Sequence, residues 1–129
     1  MTNLILRFQA IVKQHQLFSR GDRLLLAVSG GVDSVVLTEC CFRSGFDFGI
    51  AHANFRLRSE ESRRDEEFVK GMAAGYRKPF LVKRMDTLEY AKQQGVSIQV
   101  AARDLRYRWF EEILQNDPGQ YRFVLTAHH

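Results

Sequence analysis

Apolar residues recur along the chain with two alternating periods, and the alternation predicts a succession of helices and strands. Between Met1 and Leu17, Leu4, Phe8, Ile11 and Val12 fall at helical spacing, which predicts a leading amphipathic helix. Arg23 to Val28 carries an unbroken apolar run, too short for a helix and suited to a buried strand. Val32, Val35, Val36, Leu37 and Cys40 then repeat at helical spacing, predicting a helix from Val32 to Arg43. Phe46 to Ala53 reads as a second strand, Glu60 to Ala74 as a helix, and Pro79 to Lys83 as a short third strand. Leu88 to Gln94 is a short helix and Ile98 to Gln115 a longer one, with Ile98, Ala102, Leu105, Trp109 and Ile113 on one stripe. Asn116-Asp117-Pro118-Gly119 ends that helix by turn chemistry, and Phe123 to Thr126 is a fourth strand. No repeat, linker or low-complexity tract interrupts the series, so residues 1–129 read as a single domain. The order predicts an α/β fold, a parallel sheet with helices on both faces and ligands at the carboxyl ends of the strands. Segments 29–34 and 54–59 and the pair His128 and His129 then converge on one edge.

At that edge the chemistry is concentrated in Ser29-Gly30-Gly31-Val32-Asp33-Ser34, which joins the first strand to the following helix. Glycine at such a junction permits positive φ and lets main-chain amides approach a ligand with no Cβ between. Those amides and the positive end of the helix form an anion site, to which Ser29 and Ser34 add hydroxyls. The pattern is neither a Walker loop, since no Lys-Ser/Thr pair closes it, nor the Gly-x-Gly-x-x-Gly of dinucleotide binders. Asp33 is the odd member, because a carboxylate in a phosphate cradle repels its ligand. It must bind a cation or spend its oxygens on amides at the helix start. The plainer alternative is a Gly-Gly turn whose Ser and Asp serve as helix caps.

Composition changes this picture little. A hydrophobic content of 45% with ten Phe supports a folded core. No apolar stretch approaches the roughly 20 residues that cross a bilayer, and the amino terminus lacks the features of a signal peptide, so the expected location is the cytosol. Cys40 and Cys41 are neighbours in a helix, where a mutual disulfide would be strained; buried thiols in a reducing compartment are expected. The formal charge of +4 and a pI near 9.3 permit a polyanionic partner without requiring one. Arginine dominates the cations, in one group at positions 56, 58, 63 and 64 and another at 103, 106 and 108, and it suits bidentate phosphate contacts.

Segment 29–34 resembles the pyrophosphate loop of the N-type ATP pyrophosphatases. Three further segments narrow the resemblance. His52-Ala53-Asn54-Phe55-Arg56-Leu57-Arg58-Ser59-Glu60-Glu61-Ser62, continuing through Asp65-Glu66 to Phe68-Val69, is similar to a segment of the tRNA(Ile)-lysidine synthases. So are Ala102-Arg103-Asp104-Leu105-Arg106-Tyr107 within the long helix and Thr126-Ala127-His128-His129. Ser59 departs from the family, which has Gly there. The family also continues past the His pair into carboxylate motifs and carboxyl-terminal tRNA-binding domains, so the resemblance implies a truncated amino-terminal catalytic domain of Rossmann-like, adenine nucleotide alpha hydrolase-like fold.

The resemblance implies ATP and Mg²⁺ as cofactors, with isoleucine tRNA and free lysine as substrates, and leaves a homodimer open. In the implied reaction the cytosine C2 oxygen of the first anticodon position attacks the α-phosphate of ATP, and the lysine ε-amine then displaces AMP. On this reading Ser29, Gly30, Gly31, Val32, Asp33 and Ser34 hold pyrophosphate, Asp33 orients the loop or binds Mg²⁺, and Arg103 contacts the α-phosphate or the adenylated base. Arg103 is alternatively a surface residue paired with Asp104 or Glu111. His52 and Asn54 either line the nucleotide pocket or are packed strand residues. His128 and His129 point to opposite sides of a strand end, so at most one faces the site. Glu60, Glu61, Asp65 and Glu66 suit the amino end of a helix dipole. Two rivals keep the loop: a tRNA thiolase, which would need a reactive cysteine pair, and a non-enzymatic ATP- or AMP-binding module.

Overall fold

A computed structural model describes residues 2–116 and 119–127. The elements follow the order α1 (Thr2–Gln14), β1 (Arg23–Ala27), α2 (Val32–Arg43), β2 (Asp47–Asn54), α3 (Ser59–Tyr76), β3 (Phe80–Arg84), α4 (Thr87–Gln94), α5 (Ile98–Asn116) and β4 (Phe123–Thr126). The strands form one sheet in the order β3-β2-β1-β4, and every pairing is parallel. Chain order runs outward from β1 through β2 to β3 and then returns to β4 on the opposite side of β1. The reversal leaves a crevice between the carboxyl ends of β1 and β4, the place where open parallel sheets bind ligands.

Strand alternation sorts the core into two layers. Leu24, Leu26, Phe48 and Ile50 pack with Val12 of α1, Cys41 of α2, and Val69 and Ala73 of α3. Leu25 and Ala51, on the opposite face, pack with Trp109, Phe110 and Ile113 of α5, with Met85 and with Tyr121. Both faces are thus covered, which is why the strands read as continuous apolar runs. Tyr121 lies so close over Gly49 of β2 that a Cβ there would fall 2.7 Å from its ring Cζ. The contact ties the segment before β4 to the middle of the sheet.

Two helical faces differ from the sequence expectation. The buried side of α1 is Ile5 and Val12, with Phe8 half-buried, while Leu4 and Ile11 are exposed; Gln16, at φ 50°, turns the chain just after the helix. On α5 the buried row runs Ala101, Trp109 and Ile113 with Phe110, and Ile98 is exposed. Leu105, between Ala101 and Trp109, is half-buried, so the row keeps a spacing of four from Ala101 onward. Ser59 opens α3 with helical backbone, a position that places no demand for glycine. Among the described residues, no helix is long and apolar enough to cross a membrane. Cys40 and Cys41 are both free and buried.

Candidate functional site: the loop after the first strand

Val28 still pairs with the sheet, its amide donating to the Ala51 carbonyl at 2.9 Å. The chain then turns through Ser29, Gly30 and Gly31 into α2. The two glycines do different work. Gly30 has φ 97°, a conformation that favours glycine. Gly31 is extended, with φ −75° and ψ 163°, and serves as the N-cap of α2 without a side-chain cap. Any residue tolerates that backbone, so the requirement for glycine at position 31 is one of approach and not of dihedral.

The loop is internally tied. The Gly31 amide donates to Ser29 Oγ at 3.2 Å, Ser34 Oγ donates to the Gly31 carbonyl at 2.9 Å, and the two hydroxyls lie 3.4 Å apart. Thr38 Oγ1 anchors the helix start by donating to the Ser34 carbonyl at 2.8 Å. The amides of Val32, Asp33 and Ser34 occupy the first turn, where helices have no internal acceptors. With the helix dipole they present a fixed array of donors to an anion.

This array faces a cleft of about 220 Å³ at the crevice between β1 and β4, lined by Ala27, Ser29, Gly31, Val32, Asp33, Ser34 and Ala127. Ser29 is shared with two further hollows. One, a slot of about 170 Å³, is lined by Ala27, Val28, Ala51, Ala53, Phe55, Arg106 and Phe110. The other, about 320 Å³, runs past His52, Asn54, Leu57, Arg58, Ser62 and Asp65. Of the slot residues, Arg106 was marked in the sequence only as one of a group of arginines suited to phosphate, and Phe55 and Phe110 were given no role. Their signal was present in the alternation, since Ala27, Ala51 and Ala53 are small residues on one face at the carboxyl ends of adjacent strands.

His52 and Asn54 line the larger hollow and are also built into the frame. His52 is buried, and its Nδ1 lies 2.7 Å from the Val28 carbonyl; a carbonyl only accepts, so Nδ1 carries the proton. Asn54 Nδ2 donates to Glu66 Oε1 at 3.0 Å, and its Oδ1 accepts the Arg56 amide at 2.9 Å. Glu66 is buried and receives Arg84 through Nε at 3.1 Å and Nη2 at 2.6 Å. The hydrogen bonds from Arg84 hold the Glu66 carboxyl below the usual carboxylate range against the opposing effect of burial. Asp65, one residue earlier, lies against Gly30: a Cβ on that glycine would meet the Asp65 carboxylate at 3.5 Å.

Arg103 is exposed on α5, lines none of these hollows and pairs with neither Asp104 nor Glu111. Arg106, one turn on, is the α5 cation brought to Ser29. Glu60 and Glu61 stand in the first turn of α3 and engage Arg63 and Arg58. Among the described residues no three His, Cys, Asp or Glu side chains form a metal cluster. The His128 and His129 expectation lies outside the described residues. Burial pushes the Cys41 thiol up to about 12 and raises Cys40 as well.

A parallel sheet with a glycine-paired loop and a helix amino terminus at its switch point defines a nucleotide-type anion-binding α/β domain. The chain belongs to the PP-loop domain family, whose profile matches residues 2–129. It is 43% identical over 119 residues to a tRNA(Ile)-lysidine synthase of Bacteroides thetaiotaomicron, covering 92% of this chain and 27% of that protein. The synthase of Parabacteroides distasonis is 42% identical over 118 residues, with 92% and 26% covered. That of Petrotoga mobilis is 36% identical over 122 residues, with 92% and 38% covered. The chain therefore spans about a quarter to two fifths of the length of these curated relatives.

Proposed function

We propose that this domain is the adenylating part of a tRNA(Ile)-lysidine synthase. The observation that carries the reading is the Ser29–Ser34 loop opening on the β1–β4 crevice with a slot lined by Phe55 and Phe110 beside it. The relatives bearing that name support the choice of reaction.

In this reading ATP lies across Ser29. Its adenine enters the slot between Phe55 and Phe110, where three alanines leave room for a planar ring. Its terminal phosphates meet the first-turn amides of α2 with the Ser29 and Ser34 hydroxyls. The Gly31 amide exchanges its bond to Ser29 Oγ for a phosphate oxygen. Arg106, which lines the slot, is placed for the α-phosphate, and Arg103 faces the incoming tRNA. The cytosine C2 oxygen forms a bond to the α-phosphorus as the bond to the β-phosphate oxygen breaks, and negative charge grows on the departing pyrophosphate. Donors already fixed in position stabilise that charge without reorganising. The ε-amine of lysine then bonds to C2 while the C2–O bond breaks and AMP leaves.

Mg²⁺ suits the same place. Asp33 puts one hard carboxylate oxygen donor on the cleft, and Mg²⁺ commonly takes one or two carboxylates with the remainder from phosphates and water. When bound it would neutralise phosphate charge. Sulfur delivery is disfavoured, because nucleophilic thiols need depressed pKa values and access, whereas Cys40 and Cys41 are buried with raised ones.

The test is incorporation of labelled lysine. Incubated with ATP, lysine and an isoleucine tRNA, the whole protein carrying this domain should release one AMP for each lysine attached. The 129-residue chain alone should bind Mg-ATP with little incorporation. AMP release by the whole protein with no lysine on the tRNA would contradict the reading.

A further inference from the structure

Four described non-glycine residues have left-handed backbone: Gln16, Arg56, Arg77 and Gln120. Gln16 and Arg77 follow helices, where this conformation commonly ends the helix. Gln120 lies in the approach to β4. Arg56, at φ 55°, follows a strand, and an L-residue other than Asn or Asp adopts this backbone there at a cost. Its neighbours Phe55 and Leu57 line the hollow beside Ser29.

Buried groups hold Arg56 in place. Its amide is taken by Asn54 Oδ1, Asn54 is fixed by Glu66, and Glu66 by Arg84. Asn54 and Glu66 are 7% and 6% exposed. Unfavourable backbone kept by surrounding structure is a mark of functional positions. The side chain is exposed. Its neighbours Arg58 and Arg63 are engaged by Glu61 and Glu60, whereas Arg56 meets no carboxylate among the described residues. Arg56 lines neither the loop cleft nor the two hollows beside it.

We propose that Arg56 contacts a backbone phosphate of the RNA substrate, with Asn54, Glu66 and Arg84 as the residues that position it. The proposal rests on the tRNA reading above. Arg56→Gly is a suitable probe because glycine removes the charge and accepts the φ. Arg77→Gly is its control, making the same two changes at the far end of α3. Binding of an isoleucine tRNA to the whole protein carrying this domain, unaltered or with each substitution, is followed by fluorescence anisotropy as salt rises to about 0.2 M. Arg56→Gly should bind about tenfold more weakly at about 0.1 M salt, with a log–log salt slope smaller by about one. Its Tm should not fall, Arg56→Lys should recover binding to within about threefold, and Arg77→Gly should match the unaltered protein. Asn54→Ala should weaken binding alone but add nothing in the Arg56→Gly background, whereas a merely structural role would lower both.

Equal affinity and slope for Arg56→Gly and Arg77→Gly would overturn the proposal while leaving the tRNA reading intact. A loss of Mg-ATP affinity in place of tRNA affinity would also overturn it, placing the guanidinium on the nucleotide. No tRNA binding by the whole protein carrying this domain would remove the RNA reading itself, and this proposal with it.

Discussion

Glu66 shows how one buried side chain connects frame and site. It sits on α3 with a side chain 8% exposed, joined to Arg84 of the edge strand at 2.6 Å and to Asn54 at the end of β2. A buried carboxylate is tolerable because its oxygens are hydrogen-bonded and its charge is matched. The Arg84 hydrogen bonds lower its pKa on folding, which fixes the sign of a pH effect. A lowered folded pKa contributes stability that is complete above the unfolded value, about 4.3, and is lost as pH falls through the folded one. Arg84→Met should therefore lower the urea midpoint at pH 7, and the gap to the parent should narrow as pH drops below about 4.3. A gap of the same size at pH 7 and at pH 3.5 would show that Arg84 acts through packing alone. Residue chemistry of this kind was only partly legible in the sequence. His52 and Asn54 stood out as polar residues in an apolar strand, but their partners Val28 and Glu66 lie 24 and 12 positions away, and Arg84, which holds Glu66, lies 18 from it; strand pairing and the packing of α3 on the sheet bring them together.

At the scale of elements, most of the succession could be read from periodicity. The limits of α2 and β4 agree with expectation to the residue; for α2 the glycine pair before Val32 marks the start. The buried faces of α1 and α5 were harder to place. Both helices carry apolar residues around more than one stripe, and which stripe is buried is set by tertiary packing. The Gly49–Tyr121 contact was not legible at all, since it joins two residues far apart in sequence. It predicts that Gly49→Ala is poorly tolerated: a Cβ beneath the Tyr121 ring forces the 119–122 segment outward. Overpacking of this kind costs about 1 to 3 kcal/mol, lowering Tm by roughly 4 to 12 °C in a domain of this size. Calorimetry on Gly49→Ala, alone and with Tyr121→Phe, checks this. The hydroxyl is the nearest clashing atom, so the second change should restore part of the loss; equal Tm for Gly49→Ala and the parent would refute the account of this contact.

Across the whole molecule, the topology makes the loop a site. Ser29–Ser34 could be recognised as an anion loop from its residues, but the cleft needs β4 beside β1, supplied by the return of the chain through α5. The same return carries Arg106 and Phe110 to the slot beside Ser29, whereas Arg103 is exposed; the side of α5 that meets the sheet is set by packing. Gly31 gives the most direct probe of the central claim. Its backbone is open to any residue, so Gly31→Val should keep the fold while its side chain blocks phosphate approach to the amides. Each charge-assisted amide contact contributes roughly 1.5 to 3 kcal/mol, and loss of two weakens binding by about two orders of magnitude or more. The measurement is calorimetric titration of Mg-ATP into the chain and into Gly31→Val, with circular dichroism on both. Binding by the chain and at least a hundredfold loss in the variant at unchanged dichroism are expected; equal affinity in the two would contradict a phosphate site at the Ser29–Ser34 loop.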